Sequence, residues 1–388
     1  MANILFYCAL FIFSVSFQES NAAYNVITFG AKPDGKTDST QGFVRAWSSA
    51  CKSVGPATVY VPKGSYLVKP IVFSGPCKNK ILFTIAGKIV APSNYWSFGK
   101  SGFWILFYKV SGVTINGGII DGKGAAFWAC KNGGKVCPPG TRSLSFVGSN
   151  NSVVSGLTSI NSQMFHISVD ESRNIILQNL KIIAPSSSPN TDGIHIQSST
   201  GIIIRTSTFR TGDDCISLGP GSTNISIQKI ACGPGHGISI GSLAEQSEEE
   251  GVQNVTVTSV VFKATQNGVR IKSWGRPSTG FVKNIIFRNI VLKNAYNPII
   301  IDQKYCPSGN NCPNQDSGVK ISGVTYKDIK GISASKIAMN FICSESNPCN
   351  GLKLQNINVT YLSRGTATSS CSNAHGTSSG IVIPKTCF

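Results

Sequence analysis

Charge is scarce in this chain, and negative charge is scarcest. Only 13% of the 388 residues are charged, with 17 Asp+Glu against 35 Lys+Arg. The formal net charge of +18 points to a polyanionic partner: nucleic acid, anionic lipid or an acidic polysaccharide. No Lys/Arg-rich run of five to eight residues occurs, which argues against nucleic acid as that partner. Cysteine and histidine never cluster at zinc-ligand spacing, so no structural metal is expected. Beyond the N-terminus no segment reaches the roughly 18 apolar residues of a membrane span. Helical periodicity is also rare. Residues 37–51 give the one persuasive helix, with Phe43, Val44, Trp47 and Cys51 on one face and Thr37 or Asp38 as its cap.

What the chain does have begins with an apolar N-terminus. Ile4 to Phe17 is almost wholly apolar, and Ser20-Asn21-Ala22 supplies the small residues of a cleavage site. Residues 1–22 therefore read as a secretory signal, although its start carries no Lys or Arg. The mature protein is expected outside the cell, with no membrane association. Cysteine agrees: of 13, Cys8 lies in the signal and twelve remain. Neighbour pairing would join Cys51/Cys77, Cys130/Cys137, Cys215/Cys232, Cys306/Cys312, Cys343/Cys349 and Cys371/Cys387, though spacing alone does not fix connectivity. Asn150, Asn224, Asn254 and Asn358 stand in glycosylation sequons.

From residue 52 onward β-branched alternation dominates, punctuated by Gly, Asn, Ser and Pro. A small or amide residue followed by alternating apolar residues recurs at Asn174, Gly201, Asn224, Asn254, Asn284, Gly318 and Gly351, with a weaker copy at Asn151. The intervals from Asn174 are 27, 23, 30, 30, 34 and 33 residues. A repeat of this length marks a solenoid or a propeller, and blade signatures are missing. The expected fold is all-β: a single-stranded parallel β-helix forming one domain over residues 23–388, with the helix near its start capping the open end.

Chemistry concentrates on that repeat. Asn190-Thr191-Asp192 is followed 21 positions after Asp192 by Asp213-Asp214, then by Gly235-His236-Gly237 and by Arg270-Ile271-Lys272. Coils of this length would stack all of them on one wall. An Asp-Asp pair alone is more often a solvated turn, and a lone Arg-x-Lys a solvated strand face. Together, three carboxylates, an imidazole and two cations suit acid–base chemistry on an anion. On a regular strand Asp213 and Asp214 would face opposite ways, so if both act the backbone must bend there, which Gly212 permits.

The segments S-P-N-T-D-G-I-H (188–195), T-G-D-D-C-I-S (211–217), C-G-P-G-H-G-I-S-I-G-S (232–242) and G-V-R-I-K-S-W (268–274), with I-I-D-Q-K-Y-C (300–306), resemble the polygalacturonases. These glycoside hydrolases cut the homogalacturonan of pectin, and the resemblance spans essentially the mature chain. The plant type fits best, and the wording around Ser188–Ile196 is similar to the exo-acting pollen group, some of whose members are allergens. The resemblance implies a right-handed parallel β-helix and an inverting, metal-independent hydrolysis without cofactor. It makes Asp213 the general acid, has Asp192 and Asp214 hold and activate the water, and sets His236 beside Asp213. Asn190, Arg270, Lys272 and Tyr305 would bind substrate, the cations taking galacturonate carboxylates. The implied partner is polygalacturonate or pectin, met by a monomer. His195 could line a subsite or serve structure, and Trp274 reads as core or rim. Three alternatives stand beside this one: endo action, a Ca²⁺-dependent pectate lyase, and a wall protein that grips pectin without cutting it. Exo action would require a blocked cleft, for which Ala125–Arg142 and Leu243–Val252 are the candidate loops.

Overall fold

The computed structural model describes residues 22–388 apart from positions 308, 363 and 364; the signal-like segment, bar Ala22, lies outside the described residues. The chain winds as a right-handed parallel β-helix. Every strand pairing is parallel, and each strand pairs with its counterpart one coil away.

Two ladders of short strands run side by side through the first coils. They converge on Ile203–Arg210, which pairs with Arg173–Gln178 along its first half and with Lys181–Ile183 along its second. Later coils keep this joined form as long bent strands such as Val252–Lys263 and Phe281–Ala295. The bend falls where a residue adopts a left-handed conformation: Thr206, Lys229, Ser259 and Asn289, with φ of 51°, 55°, 56° and 53°. A separate sheet of parallel strands, from Ile71–Ser74 to Thr368–Ser372, closes each coil and carries the site.

The repeating phrase has a conformational cause. Asn151, Asn174, Asn224, Asn254 and Asn284 all sit at positive φ, which Asn tolerates better than other side-chain-bearing residues. Their amides stack along the solenoid, Asn254 Nδ2 donating to Asn224 Oδ1 at 3.1 Å and Asn284 Nδ2 to Asn254 Oδ1 at 3.2 Å. The apolar residues that follow, such as Ile225, Ile227, Val255, Val257, Ile285 and Phe287, point inward and are fully buried. One expected copy is out of register. Ile285 pairs with Val324, so the partner of Asn284 is Gly323 and not Gly318. Gly318-Val-Lys-Ile imitates the alternation five residues early.

The helix covers the first coil as expected, but it runs over Thr40–Lys52. Neither Thr37 nor Asp38 is its cap residue: Ser39 is, and Asp38 Oδ1 accepts from the Thr40 N–H at 3.0 Å. The inward face is Phe43, Ala46, Trp47 and Ala50, leaving Val44 and Cys51 half-buried. Trp47 packs on Phe73 and Phe107 and donates from Nε1 to the Ser74 carbonyl at 3.1 Å. A second helix, Ala125–Asn132, lies in the long insertion and buries Phe127 and Trp128. All six neighbouring cysteine pairs form disulfides. Among the described residues no helix is long and apolar enough to cross a membrane.

Candidate active site

Four successive coils of the smaller sheet carry one four-residue phrase: Asp192-Gly-Ile-His195, Asp214-Cys-Ile-Ser217, His236-Gly-Ile-Ser239 and Asn267-Gly-Val-Arg270. The pairing is in register, with Ile194, Ile216, Ile238 and Val269 aligned inside and His195, Ser217, Ser239 and Arg270 aligned outside. The first residue of the phrase stands at the mouth of its strand. Stacking therefore puts Asp192, Asp214 and His236 in a column, with the outward row beside it.

Asp213 and Asp214 precede the strand Ile216–Leu218, so the expected bend within a strand does not arise. The turn is held by its own bonds: Asp213 Oδ1 accepts from the Asp214 N–H at 2.8 Å, and the His236 N–H donates to the Asp213 carbonyl at 2.8 Å. Gly212 matters for space and not for a left-handed bend, because a Cβ there would collide with the Ser188 carbonyl. Gly237 needs both, with φ +93° and the Asn267 carbonyl against it.

The three carboxylates differ in surroundings. Asp214 is fully buried. Its Oδ1 accepts from Ser239 Oγ (2.8 Å) and Arg270 Nη2 (2.8 Å), and its Oδ2 from Lys272 Nζ (3.0 Å). Burial opposes its ionisation, but Lys272 and Arg270 outweigh burial and hold its pKa below the ordinary carboxylate value. Asp192 has the opposite fate. Burial, then the negative charges of Asp213 and Asp214, push its pKa well up, against weaker opposition from Lys272 and Ser217. Ser217 Oγ donates to Asp192 Oδ2 at 2.7 Å. Asp213 is half-buried, faces the cleft, and lies 3.1 Å from His236 Nδ1 through Oδ1.

Asp192 and Asp213 line a cleft of about 630 Å³ together with Asn190, His195, Lys272, Tyr305 and Trp274. The cations expected to meet substrate are largely engaged with the protein itself. Arg270 and Lys272 are each 7% exposed, pair with Asp214, and stand over the Tyr305 ring at 5.6 and 5.0 Å. His195 takes a part in both of its anticipated roles: it lines the cleft, and its Nδ1 lies 2.8 Å from Ser217 Oγ. Burial lowers its pKa to about 4, so the ring is neutral near pH 7. Trp274 packs edge-on to Tyr305 at 5.4 Å, at the rim.

Donor atoms of Asp213, Asp214 and His236 lie within 4.8 Å of one another, close enough to share a metal ion. Ca²⁺ wants six to eight oxygen ligands. Here one donor is nitrogen, and both Asp214 oxygens already accept from cations, so the set suits that ion poorly.

Sequence reading missed Ser217, Ser239, Phe165 and Arg142. The serines were discoverable, since each falls 25 residues after the carboxylate it serves, within the repeated phrase. Phe165 and Arg142 carry no such mark.

The glycosyl hydrolases family 28 model matches residues 51–381. A polygalacturonase of Prunus persica is 54% identical over 382 residues, covering 98% of this chain and 97% of its own. An exopolygalacturonase of Platanus acerifolia is 42% identical, covering 95% and 98%. Among solved structures, the polygalacturonase of Erwinia carotovora superposes with a TM-score of 0.72 at 25% identity, over 94% of this chain and 99% of that one.

Proposed function

The chain belongs to glycosyl hydrolases family 28, and from that membership we propose that it is a secreted polygalacturonase of the cell wall. It hydrolyses the α-1,4-galacturonosidic bonds of pectic homogalacturonan as a monomer, with inversion and without a metal. The observation that carries this reading is the buried Asp214, paired with both Arg270 and Lys272, next to a buried Asp192 and a cleft-facing Asp213. Glycoside hydrolysis needs one carboxyl that gives a proton and one carboxylate that activates water. Arg270 and Lys272 keep Asp214 ionised, as a base must be. Asp213 reaches the leaving oxygen from the cleft, with His236 holding its other side. Asp192 and Asp214 orient the water. Asn190 and Tyr305 form the cleft wall against the sugar.

Reducing ends released from polygalacturonate in the presence of chelator support hydrolysis. Chelator-sensitive release of ultraviolet-absorbing unsaturated products would mean a lyase, and binding without products a wall-binding protein.

The raised pKa of Asp192 favours a second reading, in which Asp192 donates the proton. Aryl galacturonosides separate the two. A good leaving group needs little protonation, so the variant lacking the true acid keeps its activity on them. Asp213→Asn should do so, and Asp192→Asn should not.

Exo action is the finer proposal. Glu245, Glu248, Glu249 and Glu250 of the Leu243–Val252 loop line the cleft, where they would repel a polyanion continuing past that point. Of the Ala125–Arg142 segment, only Arg142 does so. Monogalacturonate release at sustained viscosity supports exo action, while a rapid fall in viscosity with mixed oligomers means endo action.

A further inference from the structure

Among the described residues two cations, Arg142 and Lys272, line the cleft, and they are in different states. Lys272 is 3.0 Å from Asp214, which leaves less of its charge for a ligand. Arg142 has no carboxylate within ion-pair distance among the described residues, although Asp170 feels its charge. It is half-buried at the mouth of its strand, Arg142–Val147, on the N-terminal side of the carboxylates. Parallel pairing sets that strand three rungs from Ile216–Leu218.

Its position is built. The guanidinium carbon lies 5.6 Å from the centre of the Phe165 ring. Phe165 in turn stacks on His195, centroids 4.5 Å apart and planes at 27°. His195 is anchored through Ser217 to Asp192. A planar fork held against a ring loses less freedom on binding than a free Arg, and it matches a carboxylate bidentately.

We propose that Arg142, held on the Phe165–His195 stack, binds a galacturonate carboxylate and is a specificity-determining residue for de-esterified pectin. This rests on the polygalacturonase reading. Arg142 reads the charge of a sugar on the N-terminal side of the cleft, which Arg270 and Lys272 do not reach.

The test compares wild type, Arg142→Gln and Arg142→Lys on polygalacturonate and on partly methyl-esterified pectin, with thermal unfolding as a check on folding. A charged hydrogen bond lost from the complex predicts a KM about ten- to a hundredfold higher for Arg142→Gln on polygalacturonate. The kcat should stay near wild type, the effect should shrink with esterification, and Arg142→Lys should recover part of it. An unchanged KM, or an equal rise on both substrates, overturns the proposal while leaving a working polygalacturonase. Failure of the wild type to cut polygalacturonate would instead overturn the reading on which the proposal stands. If Arg142→Gln unfolds early, Arg142→Met, which keeps an apolar stem against Phe165, takes its place: a KM indistinguishable from wild type on polygalacturonate, at every degree of esterification, overturns the carboxylate role.

Discussion

Replacing Lys272 by Met tests the electrostatic core of the site. Met keeps most of the apolar stem and removes the ammonium 3.0 Å from Asp214 Oδ2. Asp214 is fully buried and retains Arg270 and Ser239, both on Oδ1. Breaking a buried ion pair by deleting one partner costs about 3–5 kcal/mol, and the surviving donors favour the lower end, about 3 kcal/mol near pH 7. The pH dependence follows from the direction of the shift. The folded pKa of Asp214 is depressed, so its contribution is fully present above the unfolded carboxylate value of about 3.9 and fades as pH falls through the folded pKa. Urea unfolding of wild type and variant should therefore differ most near neutrality and converge in acid. Without Lys272 the Asp214 pKa rises, so the acid limb of the kcat profile should move to higher pH. A double-mutant cycle with Asp214→Asn should give less than the sum of the two single losses. Equal urea midpoints at pH 7 together with an unmoved acid limb would refute the reasoning. Substrate affinity would fall as well, by an amount that esterification reduces, if the ammonium also meets a galacturonate carboxylate.

Three further outcomes are expected. Asp213→Asn should lower kcat by roughly 10²–10⁴ with little change in KM, and near-normal turnover in a folded variant would remove Asp213 from the acid role. Ser217→Ala strips Asp192 of its hydroxyl donor and His195 Nδ1 of its partner; about 1–3 kcal/mol of stability should go, with a kcat loss and a smaller rise in KM, read by unfolding and steady-state kinetics. Trp47→Ala empties the seam between the capping helix and the first coil, where Trp47 is 4% exposed; about 3–5 kcal/mol should be lost in denaturant unfolding, while the KM of the surviving folded enzyme stays put.

The solenoid was legible because its periodicity is written in side chains. An Asn at left-handed φ followed by inward apolar residues is a local pattern, and Asn174, Asn224, Asn254 and Asn284 state it openly. The same pattern misled at Gly318, because alternation alone does not say which Gly turns the corner; Gly323, at φ +65°, does. The helix start shifted because Asp38 bonds the Thr40 N–H from outside the helix. The Ala125–Asn132 helix is too short to show a period. In the site, the residues that would be brought together were readable from coil spacing, but their partnerships were not. Nothing in Arg270-Ile-Lys272 tells whether two cations look outward to a ligand or inward to Asp214; that depends on Asp214 standing one outward-facing row away and two coils below. Arg142 escaped for the same reason, since its importance lies in the ring beneath it, 23 residues further along the chain.

The phrase repeated at Asp192, Asp214, His236 and Asn267 makes the cleft a ruler. Backbone pairing spaces neighbouring coils at about 4.8 Å, so groups presented by the same position of the phrase stand at whole multiples of that interval along the solenoid. Distance along the axis is thereby digital, and only side-chain length and rotamer adjust it finely. Evolution could lengthen a turn between coils, as in the residues between Ser242 and Val252, without moving the graduations. Adding or deleting one whole coil between Asp214 and Arg270 would shift the cations by a full step and strand the buried carboxylate.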